Sequence, residues 1–205
     1  MIARAEFAER SSEPHEDHYV RLYGVNWADY LRLLEVRGDR SVPRLTYLEG
    51  TLEIMSPSHT HERIKSFIGR LVDTWCLERG VEFTPFGSWT LKSKKNERGA
   101  EADECYIFGS NPAAKSRPDL AIEVIWTSGG IDKLDVYRKL RVREIWIWKH
   151  GRIRAHVLRG AAYEAVDGSE ALPGIDLAQL AGFVDRPTAS EALREYRAAL
   201  QAAAQ

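Results

Sequence analysis

Apolar residues recur along this chain in two rhythms, one helical and one strand-like. Trp27, Tyr30, Leu31 and Leu34 follow i, i+3, i+4, i+7 spacing behind Asn26, which predicts a short amphipathic helix ending near Gly38. Ile64, Phe67, Ile68, Leu71, Val72 and Trp75 form the clearest helical stripe, from His59 to Arg79, with Ser58 ahead of it as a cap and Gly80 behind it as a C-cap residue. Leu45 and Tyr47, then Leu52 and Ile54, alternate around Glu49-Gly50, the pattern of a hairpin. The next stretch reads as β-rich: one or two strands in VEFTPFGSWTLKS, a charged mobile loop in KSKKNERGAE, a strand in ADECYIF, a loop in GSNPAAKSRP, and a buried strand in DLAIEVIW. Leu134, Tyr137 and Leu140 at three-residue steps predict a short helix, and EIWIWKHGRIRAHVL predicts two strands joined at His150-Gly151. A final helix lies in TASEALREYRAALQAA, where Thr188 and Glu191 match a capping box. This order predicts a mixed α/β domain with one central sheet flanked by helices. Residues 1–20 read as a mobile tail, 21–186 as the domain and 187–205 as a C-terminal helix, with no internal repeat.

Composition narrows the partners. The 205 residues are 44% hydrophobic, enough for a substantial core, and the net charge is -1. A dedicated nucleic-acid coat protein is usually far more basic, so contact with nucleic acid must use a local patch. The charged loop with Lys92, Lys94, Lys95 and Arg98 offers one, although a solvated loop explains it equally well. Cys76 and Cys105 have neither metal-ligand spacing nor a disulfide framework, so a reducing cytoplasm is the simple reading. No apolar run approaches the roughly 20 residues that span a bilayer, which excludes a membrane role on this pattern, and the polar, acidic N-terminal segment is not a signal peptide.

Acids at strand positions are the unusual feature. Asp119 and Glu123 are four apart in one predicted core strand, so a two-residue period points both to one face. Burying carboxylates is costly unless positive groups or hydrogen bonds offset it. Four residues of strand span about 13 Å at about 3.3 Å each, whereas magnesium binds oxygen at about 2.1 Å. The two carboxylates therefore cannot share one ion on a straight strand. Asp103, on the same face as Cys105 and Ile107, is the better partner for Glu123 if ADECYIF pairs beside DLAIEVIW. Two carboxylates with a nearby lysine suit metal-assisted phosphodiester hydrolysis, in which a Mg²⁺ or Mn²⁺ ion polarises the phosphate and acidifies water.

The segments TYLEGTLEIMSPSHTHERI, RGAEADECYIF and SRPDLAIEVIWTSGGIDKLDVYRKLRVREIWIW resemble the Uma2 family, described as restriction endonucleases and formerly a domain of unknown function. That family belongs to the PD-(D/E)XK superfamily, and the resemblance covers about residues 26–185 in order. It implies a restriction-endonuclease-like mixed sheet flanked by helices, a divalent metal site (Mg²⁺ or Mn²⁺) and DNA as substrate. Asp103 matches the first strand acid, Glu123 the acid of the (D/E)XK element, Asp119 the aspartate of the PDL motif, and Glu62 the acid often supplied by the first core helix. Asp103, Asp119 and Glu123 are thus the implied metal ligands. The chain departs from the pattern: Ala102 stands where proline is favoured, and Ile125 stands where the motif lysine belongs. Lys133, from the following helix, is the implied substitute, and its Nζ must reach back over the strand end. Thr51 replaces a glutamate in the hairpin motif.

Each of these residues also has a bland reading. Glu123 suits a core acid paired with Arg117 or Arg143, Asp119 a loop end, Asp103 a solvated edge, Glu62 an ordinary first-turn charge, and Lys133 a surface lysine. His61 faces inward on the long helix, as a hydrogen-bonded core histidine or a neighbour of the site, and Tyr137 shares a face with Lys133 in a packing position. Trp126, Trp146 and Trp148 read as core. Two functions follow: a metal-dependent endonuclease acting on DNA, or a nuclease-fold interaction module whose site is silent. Cutting both strands is easier with two sites, which makes a homodimer an option.

Overall fold

The structure is a computed structural model that describes residues 16–125 and 130–203. Trp126 lies outside the described residues. Among the described residues eleven strands and five α-helices follow in the order β1 (His18–Tyr23), α1 (Trp27–Arg37), β2 (Arg44–Leu48), β3 (Thr51–Ser56), α2 (His59–Arg79), β4 (Phe83–Pro85), β5 (Thr90–Ser93), β6 (Arg98–Glu101), β7 (Glu104–Phe108), β8 (Leu120–Val124), α3 (Lys133–Leu140), β9 (Glu144–Lys149), β10 (Arg152–Arg159), β11 (Ala162–Val166), α4 (Leu177–Gly182) and α5 (Ala189–Ala202). A single 3-10 turn, Pro112–Ala114, interrupts the loop before β8.

The strands form two sheets where the hydrophobic pattern predicts one. The larger has order β11-β10-β9-β8-β7-β4, and the smaller has order β1-β3-β2-β6-β5. All pairings are antiparallel except β8 with β9, whose crossover contains α3. The chain passes from the small sheet to the large one between Glu101 and Glu104, so ADECYIF is not a continuous strand, and Asp103 sits in the break. The stretch KSKKNERGAE is largely a β5–β6 hairpin and not a free loop. At the N-terminus, ordered strand begins at His18, inside the span assigned to a tail.

Three apolar clusters account for the layers. Ile64, Ile68, Leu71, Val72 and Trp75 of α2 pack with Leu120, Ile122, Trp146 and Trp148 on one face of the large sheet, joined by Tyr196 and Leu200 of α5. Both Trp146 and Trp148 are therefore core residues. On the other face, Cys105, Ala121 and Ile145 meet Val136 and Tyr137 of α3, together with Leu91 and Ala100 of the small sheet. Helix α3 is thus held between the sheets. The outer face of the small sheet, with Leu45, Tyr47 and Leu52, is covered by Trp27 and Tyr30 of α1.

The helix ends follow the capping rules. Asn26 accepts from the Asp29 N–H, Ser58 from the His61 N–H, and Thr188 from the Glu191 N–H, while Gly80 ends α2 in the left-handed conformation. Gly99 has no room for a side chain, because a Cβ there would meet the Tyr30 hydroxyl at 2.1 Å. Among the described residues no helix is long and apolar enough to cross a membrane.

Candidate active site

Strand register brings the two central acids together. Glu104 pairs with Ile122 and Cys105 with Ala121 in the antiparallel β7–β8 ladder. One step further along that register sets Asp103 opposite Glu123, on the face turned to α3. Directly opposed residues have Cβ atoms about 5 Å apart. Both side chains are buried, at 1% and 2% exposure.

The two carboxylates are held by groups that the sequence spreads over four elements, β2, α2, β8 and α3. Asp103 Oδ2 accepts from the Val124 backbone N–H at 2.6 Å, and His61 Nε2 lies 3.1 Å from it. Asp103 Oδ1 pairs with the Arg44 guanidinium. Burial pushes the Asp103 carboxyl up, but Arg44, His61 and Lys133 outweigh it and hold the group well below the usual carboxylate range. Glu123 accepts from the Tyr137 hydroxyl on Oε1, and Lys133 Nζ lies 3.4 Å from Oε2. Here burial prevails, with repulsion from Asp103 adding to it, so Glu123 is raised despite Lys133 and Tyr137. Burial works against the Lys133 ammonium, yet Glu123, Asp103 and Glu53 raise it overall and keep it protonated.

Lys133 opens α3, and Asp132 caps that helix by accepting from the Leu134 and Asp135 N–H groups. The lysine Nζ also donates to Thr46 Oγ1 at 3.1 Å, which ties it to the small sheet. It therefore stands beside Glu123, while Ile125, at the motif position, is half-buried. His61, in the first turn of α2, is fully buried, with Nδ1 3.0 Å from Asp17 Oδ2. Burial lowers its affinity for a proton, but two flanking carboxylates raise its pKa to about 9. Glu62 accepts from Arg44 Nη2 at 2.6 Å and from Lys65 at 2.6 Å, at the more exposed edge of the group.

Asp119 is kept apart from this cluster. Its backbone N–H donates to Tyr106 O at 2.9 Å, and its carboxylate accepts from the Phe108 N–H at 2.8 Å and from Lys115 Nζ at 2.5 Å. It sits at the opposite end of the strand from Glu123, where the strand-rise argument puts it. Arg117 donates to Arg141 O and Arg143 pairs with Glu170, so neither is the partner of Glu123.

Four contributors escaped the sequence reading: Arg44, Thr46, Glu53 and Asp17. Thr46 pairs with Glu53 across β2–β3, and Arg21 pairs with Glu53 across β1–β3, so these side chains share the face of the small sheet turned away from α1. Glu53 accepts from Arg21 Nε at 2.9 Å and from the Ile131 N–H at 3.0 Å. Strict alternation with Leu45, Tyr47 and Leu52 was the available signal. It reads as a solvent-facing side until a second sheet is known to cover it. Glu53, Glu123 and Lys133 line one cavity of about 220 Å³, together with Tyr19, Met55, Ile147 and Lys149.

The donors suit a hard cation. Magnesium takes oxygen ligands, commonly one or two protein carboxylates completed by water and substrate phosphate. Asp103 and Glu123 supply that pair. Among the described residues no three acid, histidine or cysteine side chains form a ready-made metal cage.

The family model described as "Uma2: Putative restriction endonuclease" matches residues 27–188. The chain belongs to the Uma2 family. This Uma2 chain also resembles a crystal structure from Anabaena variabilis ATCC 29413 titled as "a putative nuclease belonging to DUF820", with TM-score 0.50 and 13% identity. The likeness covers 80% of this chain and 96% of that one, and at such identity it speaks for the fold alone. No curated protein matches the chain.

Proposed function

We propose that this Uma2 chain is a metal-dependent endonuclease that hydrolyses phosphodiester bonds in DNA. The observation that carries the reading is the facing pair Asp103 and Glu123 with the Lys133 ammonium 3.4 Å from Glu123. A Mg²⁺ or Mn²⁺ ion held by Asp103 and Glu123 would supply positive charge to the scissile phosphate and acidify a water. In the hydrolysis, the water oxygen bonds to phosphorus, the bridging P–O bond breaks, and a proton passes to the departing oxygen. Lys133, kept cationic by its acid neighbours, stabilises the charge that grows on the phosphate. Tyr137 fixes the orientation of Glu123, while the Val124 N–H and His61 fix that of Asp103. Glu62 lies at the more exposed edge of the cluster and holds Arg44 and Lys65. Asp119 has the structural duty of joining β8 to the loop before it, through Lys115 and Phe108.

The test is incubation of purified protein with supercoiled plasmid and Mg²⁺ or Mn²⁺. The expected result is nicking by the wild type and its loss in Glu123→Gln. Intact plasmid with the wild type, or equal nicking by the variant, defeats the proposal.

One observation favours a second reading, a silent interaction module. The buried acids Asp17, Glu53, Asp103 and Glu123 are already matched by Arg21, Arg44, His61 and Lys133, so among these described residues no surplus negative charge waits for a metal. That reading predicts a protein that folds normally and ignores divalent ions.

A further inference from the structure

The cavity holding Glu123 and Lys133 does not end at the carboxylates. Two of its wall residues, Ile147 and Lys149, also line a larger groove of about 510 Å³, whose other lining residues are His150, Arg152, Arg154 and His156. Among the described residues no acid lines this groove.

The strand ladder explains the charge. In the β9–β10 hairpin Lys149 pairs with Arg152, Ile147 with Arg154, and Ile145 with His156. Ile153 and Ala155 turn into the core beneath α2. Alternation then sends Arg152, Arg154 and His156 to the opposite face, the one shared with Glu123 on β8. Successive members of such a row are about 6.7 Å apart. Lys149, Arg152 and Arg154 are exposed, and among the described residues none of them has an ion-pair partner. A row of uncompensated cations continuous with a catalytic cavity is what a polyanion requires, because phosphate contacts from Arg and Lys position a strand without reading its bases.

We propose that the β9–β10 face is the track for the phosphodiester backbone of the DNA strand. Lys149 stands at the junction and hands the scissile phosphate to the cavity of Glu123 and Lys133. This inference rests on the nuclease reading of that cavity. The molecule also contains its own control. A second cationic groove, with Lys92, Arg117, Lys139 and Arg141, shares none of the described lining residues with the catalytic cavity, and Arg117 lies beyond the far end of β8 from Glu123.

The experiment is fluorescence anisotropy of a labelled 20-base-pair duplex in EDTA, so that binding is read without cleavage. Wild type is compared with Lys149→Glu/Arg152→Glu/Arg154→Glu and with the equally charged control Lys92→Glu/Lys139→Glu/Arg141→Glu. The track variant is expected to bind at least about tenfold more weakly, with a salt slope shallower by about 2.7 for three lost phosphate contacts; the control stays within about twofold. The milder Arg152→Gln/Arg154→Gln variant should lower the slope by about 1.8 and guards against a folding defect in the triple. Equal losses in the two triple variants, wild-type binding by the track variant, or no binding by wild type overturns the track. The catalytic reading is judged separately: wild type that binds through the track but never nicks plasmid sinks the catalysis and leaves the track standing. A track variant that binds and nicks like wild type sinks the track alone.

Discussion

Glu123 and Glu144 are both buried glutamates, on neighbouring parallel strands of one sheet, and they do opposite things. Glu144 is fully buried, and its two oxygens accept from Trp146 Nε1 and Ser169 Oγ, each at 2.6 Å, and from the Glu170 and Ala171 N–H groups at 2.9 and 2.7 Å. Every donor is neutral, and together they tie the loop after β11 to the sheet. Glu123, on the opposite face, meets another carboxylate across the ladder and leans on a lysine and a tyrosine. Burial alone therefore does not mark a site. What marks it is burial among charges of both signs, where each group shifts its neighbours.

Removing each acid in turn separates the two roles most clearly. Glu123→Gln should lower plasmid cleavage by about 10³-fold, roughly 4 kcal/mol of barrier, with the fold intact. Glu144→Ala should leave cleavage per folded molecule unchanged but strand four donors, a loss of about 3 kcal/mol or more that lowers the melting temperature by about 6–12 °C. If the two variants exchange these phenotypes, the assignment of roles is wrong.

A smaller effect comes from His61. Its pKa rises from 6.5 to about 9 in the folded protein, so the proton binds more tightly to the native state. The stability this contributes is fully present below pH 6.5 and is lost as the pH climbs through 9. It is on the order of 3 kcal/mol. Urea unfolding of metal-free wild type and His61→Gln across pH 6–10 measures it: the difference between them should shrink as pH rises, and a constant gap would exclude a charged His61. The least effect belongs to Asp119→Asn. Its ion pair with Lys115 is partly exposed, so a stability change under about 1 kcal/mol and unaltered cleavage are expected. A large drop in cleavage would return Asp119 to the site.

The legible parts of the molecule are those set by local periodicity. The stripe of α2, its Ser58 and Gly80 caps, and the turn at His150-Gly151 need only neighbours in sequence. The opposition of Asp103 and Glu123 was also readable, because strand rise forbade the pairing of Asp119 with Glu123 and left Asp103 as the alternative. The second sheet was not readable. The chain leaves the small sheet and enters the large one across Ala102-Asp103, a tertiary event with no period of its own. With that sheet hidden, Arg44, Thr46 and Glu53 read as the wet side of a hairpin, although each is almost fully buried. Asp17 lay in a polar stretch whose only local signal was flexibility, yet β1–β3 pairing sets its carboxylate against the Ser58 N–H and His61 at the start of α2.

The proposed endonuclease requires that the Asp103–Glu123 pair bind a divalent cation even though the chain already supplies cations to both acids. Titration calorimetry with Mn²⁺ tests it most directly, on wild type and on Asp103→Asn/Glu123→Gln. Saturable binding at millimolar Mn²⁺ or below is expected in wild type and none in the double variant. Absence of binding to wild type, or the same isotherm for both proteins, would contradict it.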